Sequence, residues 1–78
     1  MNHNQIFGKV LRQLRREIRL SQEELGFESE ISRTYISLLE LGQRSPTLDS
    51  LIKISAGLRM DPSDFLILIA EKIRTPDQ

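Results

Sequence analysis

The sequence predicts an all-α fold of five helices in a single domain of 78 residues. Three observations predict it. Apolar residues recur at three- and four-residue spacing along most of the chain. Residues able to cap a helix (Ser21, Ser32, Thr47, Asp61) stand just before those periodic stretches. A glycine- and proline-bearing loop, Gly42 to Pro46, and an Asp61-Pro62 restart divide the second half of the chain.

Residues 1 to 4 are polar and expected to be loose, with His3 a solvated tail histidine that has no second ligand type nearby. The first helix is expected from about Gln5 to Arg19. Phe7, Leu11, Leu14 and Ile18 form one apolar stripe that Ile6 and Val10 widen, while Lys9, Arg12, Arg16 and Arg19 form a second, basic stripe. That basic stripe is either a solvated face or a source of phosphate contacts. Ser21 with Glu24 has the form of a capping box and opens a second helix, Gln22 to about Ser29, anchored by Leu25. Gly26 inside it costs about 1 kcal/mol relative to alanine and is expected to let the next helix cross closely. Glu23 and Glu24 suit the helix N-terminus, where the backbone dipole favours negative charge. Eleven residues after Ser21, Ser32 caps a third helix. Its Tyr35, Ile36 and Leu39 share one side, and Arg33, Thr34, Ser37 and Leu38 lie on or beside the other. An apolar back and a front of arginine, threonine and serine suit a helix whose back is packed and whose front reads something.

Pro46 pushes Ser45 out of helical geometry, and Thr47 caps a fourth helix. Leu48, Leu51, Ile52, Ser55 and Leu58 share one side of it and are expected in the core, with the helix ending near Gly57 to Arg59. Asp61 as cap and Pro62 at the first helical position start a fifth helix, about Pro62 to Arg74. Its five consecutive apolar residues, Phe65 to Ile69, cover more than one face, and a second apolar face asks for a second partner. One side is expected to close the core and the other to pack against a second copy, with Phe65, Leu66, Leu68 and Ile69 the candidate dimer residues. The other reading makes all of them intramolecular core. Residues 75 to 78 are expected to fray.

Composition excludes several classes. A chain this short buries a modest fraction of its surface, and with no cysteine and no Cys/His cluster it has neither a disulfide nor a structural zinc to reinforce it. Self-association is the expected reinforcement. No metal or other cofactor is expected. The absence of cysteine fits a reducing cytoplasm. No signal peptide or membrane span is visible, since the longest apolar run, Phe65 to Ala70, is six residues against the roughly 20 needed to cross a bilayer. An enzyme is the least favoured class: no nucleophile has a base beside it, the serines serve as caps, and the four glycines are isolated. The formal net charge is zero, but it is unevenly spread. Residues 1 to 20 carry five cations against Glu17, a net +4, and residues 21 to 30 carry four glutamates and no cation.

Residues 21 to 41 resemble the helix-turn-helix of the phage repressor and Cro family, also called the xenobiotic-response-element family. The resemblance rests on Gln22, Leu25 with Gly26 after it, Ile31, Ser32, the run Arg33-Thr34-Tyr35-Ile36-Ser37, and Leu39-Glu40. Gly42 to Leu48 is similar to the family's loop into its fourth helix, and the likeness covers about residues 6 to 62. The run Arg33 to Ser37, in a short chain with one extra helix, looks most like the controller proteins of restriction-modification systems. The resemblance implies a five-helix repressor-like domain. It implies phosphate contacts from Gln22, Gln43 and Arg44, and a backbone contact from the Tyr35 hydroxyl. It also implies tandem operators upstream of the protein's own gene and an endonuclease gene. Two departures stand out: the family often has glycine where this chain has Glu30, and usually where it has Arg59. At Glu30 glutamate is strained, or the turn is built differently.

The major groove of double-stranded DNA admits a helix and displays a distinct donor and acceptor pattern for each base pair. The candidate readers are Arg33, Thr34 and Ser37, with Leu38 placed to meet a thymine methyl. Each has a plainer reading: Arg33 as a solvated arginine, Tyr35 as core with its hydroxyl at the rim, Ser37 as packing filler, Leu38 as core. A dimer presents two reading helices about 34 Å apart, so an inverted-repeat operator is expected. With no room for a ligand domain, no small-molecule effector is expected. Besides a homodimeric, cytoplasmic transcription regulator, two other functions fit the sequence: an antitoxin-type autorepressor, and a helix-turn-helix-like protein-interaction module that does not bind DNA.

Overall fold

The computed structural model describes residues 1–75. They form five helices: α1 (His3–Glu17), α2 (Gln22–Ser29), α3 (Arg33–Glu40), α4 (Leu48–Gly57) and α5 (Pro62–Arg74). The capping residues read from the sequence open α2 to α5. Ser21 and Glu24 exchange hydrogen bonds reciprocally, Ser32 accepts from the Tyr35 amide, Thr47 pairs with Ser50, and Asp61 accepts from the Ser63 and Asp64 amides. Each satisfies backbone N–H groups that a helix N-terminus leaves without intrahelical partners.

The amino-terminal segment is helical rather than loose. Asn2 caps α1 by accepting from the Gln5 amide at 2.8 Å, and the Gln5 side chain accepts from the Asn2 amide at 3.0 Å. His3 is therefore the first residue of α1. The helix stops at Glu17, and Arg19 turns left-handed with φ 62°. Of residues 75–78, expected to fray, 76–78 lie outside the described residues, and Thr75 is tied down by its amide, which donates to the Glu71 carbonyl.

The core lies where the five helices meet. Leu11, Leu25, Ile36, Leu39, Ile54 and Phe65 are fully buried, with Phe7, Val10, Leu58 and Ile69 around them. Phe7 and Phe65 meet edge to face, ring centroids 6.2 Å apart, the arrangement that ring quadrupoles favour. Phe65 thus closes the core from α5 and is not available to a second copy; Ile69, 8% exposed, lies beside it. Their nomination as dimer residues is corrected on that ground. Leu68 faces a groove against α1, beside Val10 and Leu14. Among the large apolar side chains left to solvent on α5 are Ile67 and Ile73. Leu48 and Ile52 of α4 were expected in the core but stand 67% and 41% exposed. The buried arc of α4 is filled by Ser50, Leu51, Ile54, Ser55 and Leu58, and Leu48 and Ile52 lie just past its edge.

Glycines allow the helices to approach closely. A Cβ on Gly26 would stand 2.6 Å from the Ile31 carbonyl oxygen, and one on Gly8 would stand 2.5 Å and 2.6 Å from the carbonyl oxygens of Glu40 and Leu39. Gly26 therefore permits the tight corner into α3, as the sequence predicts, and Gly8 lets α1 rest directly on the backbone at the end of α3.

Candidate nucleic-acid interface

α3 is held by its back and free on its front. Ile36 and Leu39 are fully buried, whereas Arg33 and Thr34 are exposed and Ser37 and Leu38 half-buried. These last four side chains line one shallow groove of about 250 Å³ on the outer surface. The four candidate readers are thus neighbours on a single face.

The corner that aims this face is built on Glu30, which adopts the left-handed conformation, φ 57° and ψ 40°. Its amide donates to Phe27, and the next amide, of Ile31, donates to Gly26 at 2.8 Å. The turn has the shape usually served by glycine, with the steric cost borne by a glutamate. Arg59 does the same after α4, φ 61°.

Beyond α3, Gly42 turns the chain with φ 73°, and Gln43 and Arg44 project as exposed side chains. Tyr35 is half-buried and its hydroxyl donates to the Ser45 carbonyl at 3.4 Å; the Ser45 hydroxyl in turn donates to Asn4 at 3.0 Å. Tyr35 therefore packs with its ring while its hydroxyl reaches the rim, the plainer of the two readings made of it. Gln22, at the first turn of α2, is half-buried and donates its amide to Glu40 at 3.1 Å.

Glu40 leads to a feature that charge counting missed. Arg15 and Glu40 form a two-pronged ion pair, Nε to Oε2 at 2.6 Å and Nη2 to Oε1 at 3.0 Å, with side chains only 11% and 3% exposed. Arg15 also donates to the Leu20 carbonyl at 2.8 Å. The hydrogen bond to Glu40 raises the Arg15 pKa above its ordinary value, outweighing the desolvation that opposes it. One buried guanidinium thus ties the end of α1, the α1–α2 corner and the end of α3. The available sequence signal was register: Arg15 lies seven residues after Gly8, on the side of α1 that meets α3. Among the described residues no group of three or more His, Cys, Asp or Glu side chains is placed to hold a metal ion.

A family model described as helix-turn-helix matches residues 11–65. The control protein C.BamHI of Bacillus amyloliquefaciens is 45% identical over 62 residues, covering 78% of this chain and 76% of that one. The chain belongs to the helix-turn-helix family of restriction-modification controller proteins. Solved controller structures agree in fold. C.AhdI from Aeromonas hydrophila superposes with a TM-score of 0.76 at 37% identity, over 80% of this chain and 94% of that one. A tyrosine-to-phenylalanine variant of C.Esp1396I, solved bound to its highest-affinity operator site, superposes at 0.82 with 30% identity, over 91% and 93%. As the controller resemblance implied, the family's five-helix architecture is present; Glu30 and Arg59 take the left-handed turns within it.

Proposed function

We propose that this chain is a dimeric, sequence-specific DNA-binding transcription regulator that controls its own gene and a restriction endonuclease gene. The observation that carries the reading is the front of α3: Arg33, Thr34, Ser37 and Leu38 share one outward groove while the back of the helix is locked in the core. Arg33 gives two parallel hydrogen bonds to a guanine edge, and Thr34 and Ser37 bond base edges. Leu38 meets a thymine methyl. Gln43 and Arg44 hold the flanking phosphates without sequence preference, joined by the second N–H of the Gln22 side-chain amide and by the Tyr35 hydroxyl once it exchanges the Ser45 carbonyl for a phosphate oxygen. Kinship with C.BamHI and with an operator-bound relative supports the same role here.

The second copy packs on the outer edge of α5. Leu66 there is half-buried and Ile73, seven residues on and on the same face, is exposed, an apolar strip with no partner among the described residues of one chain. Ile73 joins Leu66 in the proposed contact in place of Phe65 and Ile69, which lie in the core, and of Leu68, which faces the α1 groove. Dimerisation doubles the phosphate contacts, which a neutral single module makes sparingly. The role is binding, not catalysis, and is exercised in the cytoplasm beside the DNA it reads. Among the described residues no helix is long and apolar enough to cross a membrane.

Selection of bound sequences from a random duplex pool tests the proposal, and enrichment of an inverted repeat is the expected result. On the selected site, Arg33→Ala costs about 1 to 3 kcal/mol and flattens preference at one base pair. Arg44→Ala weakens selected and random duplexes alike and lowers the salt slope by about one unit. No enriched repeat in dilute buffer, or identical behaviour of the two variants, overturns the reading. Sedimentation as a monomer at tens of micromolar removes the dimer.

A further inference from the structure

The charge asymmetry of the chain is not used up by the proposed DNA face. Phe27 stands 83% exposed on the outward side of α2. Glu23, Glu24 and Glu28 surround it at three- and four-residue spacing or as its neighbour, all exposed, and with Leu20 they line a trough of about 450 Å³. On α1, Lys9, Arg12 and Arg16 line a second trough of about 560 Å³ together with Gln13 and Glu17. Arg19 extends that basic stripe. Among the described residues the two side-chain ion pairs are Arg15–Glu40 and Lys53–Asp49. The acidic and basic patches therefore do not neutralise each other within one chain.

We infer that the Phe27 face of α2 docks into the basic α1 trough of a second copy. The chemistry matches on each count. A phenyl ring laid between Arg12 and Arg16 covers their aliphatic stems and offers its face to two guanidinium groups. Glu23 and Glu28 then lie over Lys9 and the flanking arginines. Glu24, already committed to its capping box, contributes field more than contact. The contact is head to tail: each copy gives one face and receives on another, so it is distinct from the two-fold packing proposed for α5. Exposed ion pairs are individually weak and salt-screened, which makes this a contact of concentrated protein at low salt. The contact is tested without DNA.

The test is a charge exchange followed by sedimentation velocity of the full chain at about 100 µM protomer. Wild-type protein is expected to form species larger than its dimer at about 50 mM salt and to lose them at about 500 mM. The variant Arg12→Glu/Arg16→Glu and the variant Glu23→Lys/Glu28→Lys each lose the larger species alone. An equimolar mixture regains them, because each reversed face now meets a reversed partner. Phe27→Ser weakens the association about tenfold. All substituted positions are solvent-facing, and circular dichroism verifies that the variants are folded. Failure of the mixture to reassemble, persistence of the large species at high salt, or indifference to Phe27→Ser overturns the inference. So does a mixture that stays dissociated while the α1 variant loses affinity for a single duplex site, which assigns the stripe to DNA. In every one of these cases Arg33 retains its own test.

Discussion

Removing the Arg15 side of the buried ion pair is the most informative perturbation the structure offers. In Arg15→Met, the Glu40 carboxylate, 3% exposed, loses both guanidinium hydrogen bonds and keeps only the Gln22 amide. An uncompensated buried charge of this kind costs about 3 to 5 kcal/mol. A domain of this size has a total stability on the order of 4 to 12 kcal/mol, so the variant sits near its unfolding threshold. Its melting temperature falls by roughly 12 to 40 °C. Replacing both partners, Arg15→Met with Glu40→Leu, removes the orphaned charge. It is expected to restore stability to within about 1 kcal/mol of wild type, or above it. The assay is urea unfolding followed by helical circular dichroism, at one fixed protomer concentration because dimerisation adds stability by mass action. A single-variant cost below about 1 kcal/mol, or a double variant no more stable than the single one, would falsify the account of the pair as a buried, mutually dependent unit.

Three further predictions concern the backbone and its caps. Glu30→Gly relieves a left-handed residue and is expected to stabilise the domain by about 1 kcal/mol, since the steric relief exceeds the added chain entropy; a lower melting temperature refutes this. Gly8→Ala pushes a methyl against the carbonyl oxygens of Leu39 and Glu40 and lowers stability by about 1 to 3 kcal/mol, measured by urea midpoint; an unchanged midpoint means that α1 does not rest on α3. Hydrogen bonds from the Ser21 backbone and hydroxyl lower the Glu24 pKa. A depressed folded-state pKa gives stability that is present above the unfolded value and lost as pH falls through the folded one. Glu24→Gln should therefore flatten the acid side of the stability profile, read by thermal melts between about pH 3 and 6; an unaltered profile argues against the cap's charge.

Much of the fold was legible because it is written in local chemistry. Ser21 with Glu24 opens α2, Ser32 opens α3, Thr47 opens α4 and Asp61-Pro62 opens α5, each where the capping rules place it. The Asn2–Gln5 box obeys the same rules, with Asn for Ser and Gln for Glu, and its oversight made a helical turn look like a tail. The misses further in are tertiary. Periodicity puts Leu48 and Ile52 on the side of α4 that holds Leu51 and Ser55, but it does not say how wide an arc the neighbours cover. The apolar run of α5 gives no hint which residue points inward, and Phe65 does because Phe7 receives it. Arg15 reads as one cation among five until its partner, 25 residues away, is in view. Of the candidate site, Arg33, Thr34, Ser37 and Leu38 could be grouped by helical angle alone, and the structure brings them to one groove.

The unglycined corner at Glu30 raises the question of what fixes the direction of α3 if not an ideal turn. The contacts point to α1. Near one end of α3, Gly8 lets α1 lie on the Leu39 and Glu40 carbonyls and Arg15 clamps the Glu40 side chain. Through the loop that follows α3, Asn4 accepts from the Ser45 hydroxyl and the Ser45 carbonyl accepts from Tyr35 of the first turn. α1 therefore braces the reading helix at its carboxyl end and, through Ser45, at Tyr35, while the corner between α2 and α3 needs only to be short. A brace of this kind tolerates a left-handed glutamate, because the cost of about 1 to 2 kcal/mol at one residue is smaller than the cost of releasing a buried ion pair. The order of these two magnitudes explains how the family's geometry survives the loss of the family's glycine. It also means that substitutions on α1, remote from any base, alter the presentation of Arg33 more than substitutions in the corner do.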